Sequence, residues 1–288
     1  MVAKQSRVAE LLQTLQSENL DERQNAAIQL IDAGFAAIDP LIEVLLSGSG
    51  EVRYLAAWVL GEIGDSRAVP ALIAGLHDDD PRVQDWSARA LGEIGDSRAI
   101  EPLMMVIFSS FVEVQRNAAT ALGWMRAKSA IPSLLTLLDD AHPEVRSAAA
   151  EALGRLQAQD ALEPLCRRLQ QDPDEWVRLR AASALGEIGD PRAENVLMDA
   201  LVDDPREWVR YHAAISLGAL QATRSVPLLC KRLNADLSMS VRRGIAMALG
   251  RIGEESAVET LVAALAQSDD LLLEAVDQAL QMLGYTIE

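Results

Sequence analysis

Apolar side chains return along this chain with a helical step, and the stretch from Glu51 to Asp80 shows the unit. Val52, Ala56, Leu60 and Ile63 recur at steps of three or four residues and share one face of an amphipathic helix. Ala57 and Gly61 lie beside that face and are small enough to let a neighbouring helix come close. Gly64 follows the last core residue, where a helix-ending glycine belongs. Asp65 or Ser66 then caps a second helix, predicted over Arg67 to Leu76. Pro70 is tolerated in its first turn because those N–H groups have no intrahelical partner. Pro40, Pro102, Pro132, Pro164 and Pro227 hold the equivalent place in other stretches.

The unit repeats. Val59-Leu60-Gly61-Glu62-Ile63-Gly64-Asp65 returns as Ala90-Leu91-Gly92-Glu93-Ile94-Gly95-Asp96 and as Ala184-Leu185-Gly186-Glu187-Ile188-Gly189-Asp190. The first glycines stand at 61, 92, 123, 154, 186, 218 and 250, a period of 31 residues and then 32. Such a period marks a solenoid, in which each unit buries its apolar face only against its neighbours. The predicted fold is an all-α, right-handed α-solenoid of about nine helical hairpin repeats. It is expected to run as one array over 1–288, with capping units near 1–48 and 254–288. In the end units Ile31 and Gln281 replace the first glycine. Leu91 and Ile94 are expected in the core between neighbouring repeats. Asp80-Pro81, His142-Pro143, Asp172-Pro173 and Asp204-Pro205 read as preceding the next inner helix, the Asp as cap and the Pro at or near the first turn. An extra residue in the later repeats puts Trp176 and Trp208 in the first turns of adjacent inner helices.

Composition narrows the partners. Half of the residues are hydrophobic and only 4% are aromatic, as helix-on-helix packing prefers. A formal net charge of −17 disfavours a sequence-independent nucleic-acid binder, which needs cations to displace counterions, and an anionic membrane surface. No apolar run reaches the roughly 18 residues of a membrane helix, and the first ten residues lack the apolar centre of a signal peptide. A soluble, cytoplasmic protein is expected. Cys166 and Cys230 occupy matching helix positions two repeats apart and read as packing residues rather than a disulfide framework.

Placing successive residues at 100° sets Tyr54, Trp58 and Glu62 opposite Val52, flanked by Leu55. Translation by the repeat brings Asp85, Trp86, Arg89 and Glu93, then Arg116, Asn117, Thr120 and Trp124 onto the same stripe. Further on come Ser147, Glu151 and Arg155, then Leu179, Arg180, Ser183 and Glu187, then Tyr211, His212 and Ile215. This stripe is expected to line a concave groove. Its large aromatics concentrate in the second to fourth repeats. Either they pack against one another, or they form a binding surface with the interleaved charges, since Trp, Tyr and Arg dominate interface hot spots. The candidate binding residues are Tyr54, Trp58, Asp85, Trp86, Arg89, Arg116, Asn117, Trp124, Tyr211 and His212. Trp176 and Trp208, at the loop edge, read as structural. An arginine recurs at one register, at 23, 53, 146, 178, 210 and 242, and reads as an inter-repeat ladder with acidic residues of adjacent turns.

The pattern Val-Arg-x-x-Ala-Ala-x-x-Leu-Gly-x-Ile-Gly-Asp resembles the HEAT-like repeats named after the phycobilisome lyases, over nearly the whole chain. Val52-Arg53-Tyr54-Leu55-Ala56-Ala57-Trp58-Val59-Leu60-Gly61 is similar to the Arg-Tyr-x-Ala-Ala-Trp-x-Leu-Gly segment of the E-type phycobilin lyase subunits. The resemblance implies a protein that attaches linear tetrapyrroles to phycobiliproteins or detaches them. It also implies a second HEAT-like chain as heterodimer partner and a bilin as substrate, with no permanently bound cofactor. Asp85, Arg89 and Arg116 would then hold polar groups of the partner or the propionates of the bilin.

Other chemistry finds little footing. Deoxyhypusine hydroxylase resembles this repeat in fold but uses His-Glu dipeptides to hold iron. His77, His142 and His212 are here followed by Asp, Pro and Ala, so no metal ligands are expected. Each glycine is explained by the repeat, leaving no phosphate-cradling loop, and a lone His212 assembles no Ser/His/Asp set. Asp139-Asp140 and Asp203-Asp204 read as caps and solubilising charge. Two readings remain open: a phycobilin lyase-like protein binding a phycobiliprotein subunit and a bilin, or a non-enzymatic adaptor binding another protein.

Overall fold

The computed structural model describes residues 2–265 and 270–285. The expected capping units extend over Met1, 266–269 and 286–288, which lie outside the described residues. Helices are the only extended elements among the described residues. The first are α1 (Val2–Thr14), α2 (Leu20–Ala33), α3 (Ile38–Ser47), α4 (Gly50–Ile63) and α5 (Val69–Gly75). Next come α6 (Pro81–Ile94), α7 (Ile100–Val106), α8 (Val112–Trp124) and α9 (Ile131–Leu137). Then follow α10 (Pro143–Arg155), α11 (Leu162–Gln171), α12 (Glu175–Ile188), α13 (Glu194–Asp203) and α14 (Glu207–Ala219). The last are α15 (Val226–Ala235), α16 (Met239–Ile252), α17 (Val258–Leu265) and α18 (Asp270–Met282). Even-numbered helices are the inner members of the hairpins and odd-numbered ones the outer. The chain forms two compact units, Met1–Ser133 and Leu134–Glu288, and α9 begins in the first and ends in the second.

Within the first unit, α4 packs on α6 and α6 on α8. Within the second, α10, α12, α14, α16 and α18 pack in succession. The glycines of the signature set how close they come. A Cβ on Gly61 would stand 2.7 Å from Ala90 Cβ, and one on Gly92 the same distance from Ala121 Cβ. Leu60, Leu91, Leu153, Leu185 and Leu249 are fully buried beside these contacts. Ile94, expected in the core, is only half-buried, although Ile188 and Ile252 at the equivalent last-turn position are buried.

The predicted second helix over 67–76 begins differently. Asp65 accepts from the Arg67 N–H and starts a 3₁₀ turn, Ser66–Ala68, before α5 takes over with Pro70 in its first turn. Asp96 and Asp190 start the same turn after α6 and α12. The Arg98 side chain and backbone hydrogen bonds hold Asp96 down to about 2.

The loops leading into inner helices correct part of the expectation. Asp80 caps α6 and Pro81 is its first residue. Asp172 and Asp204 do not cap. The extra residue starts α12 at Glu175 and α14 at Glu207, so the positions before them are Asp174 and Arg206. Asp172 and Asp204 are instead acceptors of the arginine ladder. Arg146 reaches Asp172 by two bonds of 2.7 and 2.8 Å and donates to the Asp140 carbonyl at 2.9 Å. Arg178 does the same with Asp204 and the Asp172 carbonyl, and Arg210 with Asp236 and the Asp204 carbonyl. Each arginine thereby stitches two successive loops. Arg53 joins the Gly48 carbonyl to Asp78, and Arg23 pairs with Glu51. Arg242 departs from the pattern and donates to the Leu233 carbonyl. At the equivalent place in α6 stands Gln84, which keeps the carbonyl contact to Asp78 at 2.6 Å. The loop after α7 offers Ser109 where Asp78, Asp140, Asp172, Asp204 and Asp236 stand in their own loops.

Candidate binding surface on the inner helices

In the first unit, successive inner helices bring the predicted aromatics side by side. Trp58 of α4 and Trp86 of α6 meet with ring centroids 5.9 Å apart and planes tilted by 48°. Both are half-buried. The Trp58 indole N–H donates to Glu62 at 3.1 Å. Arg82 lies over the Tyr54 ring at 4.9 Å while binding Glu51 and Asp80. Arg89 lies over Trp86 at 5.1 Å and pairs with Glu93 one turn on. Trp124, 43% exposed, ends α8, and its ring edge limits the space over Gly92.

Beside the indoles lies a polar cluster. Asp85 is half-buried and accepts from the Asn117 amide at 2.6 Å. Burial pushes its carboxyl above the ordinary range, against the pull of Arg116 and the Asn117 hydrogen bond. Arg116 is exposed and acts on Asp85 through space, its side chain in no direct ion pair among the described residues. This surface thus combines a tilted pair of indoles, a carboxylate poorly supplied with water, and a guanidinium open to a ligand. Tyr54, Trp58, Asp85, Trp86, Arg89, Arg116, Asn117 and Trp124 share the first unit.

Tyr211 and His212 belong to the second unit, on α14. Their rings meet edge to face at 5.3 Å. His212 Nδ1 lies 2.8 Å from Ser183 Oγ, a pairing not legible in the sequence. Burial, and secondarily Arg180, pull the His212 imidazole below its ordinary value, so it is neutral at pH 7. Two residues assigned to the stripe are not on the surface: Leu55 and Leu179 are 3% and 6% exposed. An inner helix in a stack is covered by a neighbour on each side, so its buried arc is wider than one apolar stripe. Conversely, Trp176 and Trp208 stand 58% and 50% exposed. The signal was present in the sequence, as Glu175-Trp176-Val177-Arg178 and Glu207-Trp208-Val209-Arg210 are the same tetrapeptide in adjacent repeats.

Cys166 is half-buried, and burial pushes its thiol up to about 11, leaving it a packing residue. Among the described residues, no group of three or more His, Cys, Asp or Glu side chains could hold a metal. None of the described helices is long and apolar enough to cross a membrane.

The family model described as HEAT repeats matches residues 8–73, 38–110, 107–186, 162–239 and 197–281. The chain belongs to the HEAT-repeat family. No curated protein matches it in sequence. Among solved structures, this HEAT-repeat chain is similar to YibA of Escherichia coli, with TM-score 0.64 and 22% identity over 94% of this chain and 100% of that one. It is similar to an engineered protein with TM-score 0.54 and 25% identity, over 97% of this chain and 89% of the other. A third likeness is to the CpcE–CpcF complex of phycocyanin lyase from a Nostoc species, with TM-score 0.49 and 25% identity over 84% and 92% of the two chains. The HEAT-repeat architecture expected from the sequence is thereby established.

Proposed function

We propose that this HEAT-repeat protein binds a phycobiliprotein subunit together with its linear tetrapyrrole, using the inner-helix surface of the first unit. The observation that carries the reading is the adjacency of the Trp58–Trp86 pair to Asp85 and Arg116. A linear tetrapyrrole has a conjugated face, a row of pyrrole N–H donors and two propionates. The indoles suit the face, the desolvated Asp85 carboxylate suits the N–H groups, and the open Arg116 suits a propionate. Tyr54 and Trp58 are also the two distinctive positions in the segment that resembles the E-type lyase subunits. A second HEAT-like chain is part of the proposal. In such a transfer the accepting thiol belongs to the phycobiliprotein, so this chain supplies positioning and no nucleophile of its own.

Titration with biliverdin, read by tryptophan quenching and a shift in the bilin absorbance band, tests the reading. Trp58→Ala and Trp124→Ala should weaken binding at least about 30-fold, since truncating a hot-spot aromatic costs 2 kcal/mol or more. Arg116→Ala should weaken it too, while melting stays near that of the parent protein. No binding by the parent, or unchanged binding by both Trp variants, defeats the proposal.

The second reading is a protein-binding adaptor with no bilin role. What favours it is that Arg82 and Arg89 already cover the faces of Tyr54 and Trp86, which suits a broad protein interface better than a flat ligand. Co-expression with a bilin-producing pathway and a phycobiliprotein subunit separates the two, because only the first yields a coloured product.

A further inference from the structure

The two units differ in which of their aromatics carry an arginine. In the first, the protein's own arginines lie over Tyr54 and Trp86, at 4.9 and 5.1 Å from the ring centroids. In the second, Trp176 and Trp208 stand on the first turns of the adjacent helices α12 and α14, more exposed than the other three tryptophans. Among the described residues no guanidinium lies over either ring. Between them is an open cleft of about 110 Å³, lined by Glu175, Trp176, Leu179, Trp208 and Val209. Its floor is apolar and packed, since Leu179 and Val209 are buried. Tyr211 braces Trp208 edge-on at 5.9 Å.

The surroundings are acidic. The stretches 172–178 and 203–210 carry six Asp and Glu residues against three arginines. Arg178 and Arg210 are committed to the ladder, on Asp204 and Asp236. Arg206, the remaining cation, is held on Glu175 at 2.9 Å at the rim. Glu207 stands exposed next to Trp208. Two indole faces over an apolar floor, with surplus carboxylate at the edge, are the elements of a site for a flat organic cation.

We propose that this cleft receives an arginine side chain presented by a basic segment of a partner protein. The guanidinium stacks on Trp176 and Trp208, and its fork reaches past the lining to the exposed Glu207 beside Trp208. The same tetrapeptide in two adjacent repeats supplies both indoles, while of its two glutamates only Glu175 lines the cleft.

A synthetic hexa-arginine peptide tests this, with hexa-citrulline as the uncharged match of equal shape, read by tryptophan fluorescence. Hexa-arginine should bind, and hexa-citrulline should bind at least tenfold more weakly. The double variant Trp176→Ala, Trp208→Ala keeps the net charge of −17, so general attraction persists. Followed by calorimetry, it should lose at least tenfold in affinity, or about 1.4 kcal/mol. Glu207→Gln, an exposed change that leaves the floor intact, should lose at least threefold. Equal affinity of the parent and the double variant, or equal affinity for the two peptides, or no effect of Glu207→Gln, overturns the proposal.

Discussion

Arg146 shows how much one side chain can do in this array. Its guanidinium is nearly buried, it holds both oxygens of the fully buried Asp172 carboxylate, and it binds a loop carbonyl as well. Removing it leaves the buried carboxylate only Arg168 at 3.3 Å and the Asp174 N–H, so Arg146→Ala should cost about 3 kcal/mol, the low end for breaking a buried pair. Arg192→Ala, which breaks an exposed pair with Asp190, should leave the melting temperature close to that of the parent. Thermal melting of the two variants checks the contrast. The same pairs set the response to acid. Burial is the largest influence on Asp172 and Asp236 and would raise both. The hydrogen bonds from Arg146 and Arg210, the backbone N–H groups of Asp174 and Ser238, and the second arginines Arg168 and Arg232 together outweigh it and hold both below the ordinary carboxylate value. The unfolded chain therefore takes up protons first. The stabilisation is present above the unfolded value of about 3.9 and is lost as pH falls through the lower folded values. Melting temperature should fall steeply below about pH 4, and Arg146→Ala should flatten part of that fall. The ladder was legible in the sequence because its arginines recur in register. Its partners were misassigned as caps, because one inserted residue moves each helix start.

At the scale of the helix, the signature glycines act through the neighbour rather than through their own backbone. Gly92 lies in the interior of α6, where alanine is intrinsically better by about 1 kcal/mol. A Cβ there would stand 2.9 Å from the Ala121 Cα, which only a shift of the α8 backbone relieves. Overpacking of this kind costs about 1–3 kcal/mol. Gly92→Ala should therefore destabilise despite its better helix propensity, and denaturant unfolding should show a lower midpoint. The helix ends were less uniform than the repeat suggested. Gly64, Gly95, Gly189 and Gly253 close their helices with positive φ, but Arg126, Gln157 and Gln221 adopt φ near +50° at the equivalent turn. Periodicity located the inner helices well and located surfaces poorly. Leu55 and Leu179 looked like groove residues until the second flanking helix was counted. Trp176 and Trp208 looked like packing residues, yet first-turn side chains lean toward the helix start, past the body of the neighbour.

Across the whole molecule, the fold was readable because every hairpin repeats the same instructions, and the HEAT-repeat match over residues 8–281 agrees with them. The surface that confers identity was only partly readable. Aromatic type and stripe position could be counted, but which rings the protein covers with its own arginines depends on geometry that no period contains. The break in the ladder at Gln84 has a consequence for motion. Loops held by a buried ion pair on one side and a guanidinium–carbonyl bond on the other open rarely, whereas the loop at Ser109 and Ser110 lacks the ion pair. In a linear array each segment opens against its neighbours alone, so this difference stays local. Amides of residues 109–111 should exchange with deuterium faster than those of 172–174 and 204–206, measured by mass spectrometry on peptic fragments. Restoring the pair with Gln84→Arg and Ser109→Asp together should slow that loop, bringing the array closer to an evenly timed rhythm of local opening.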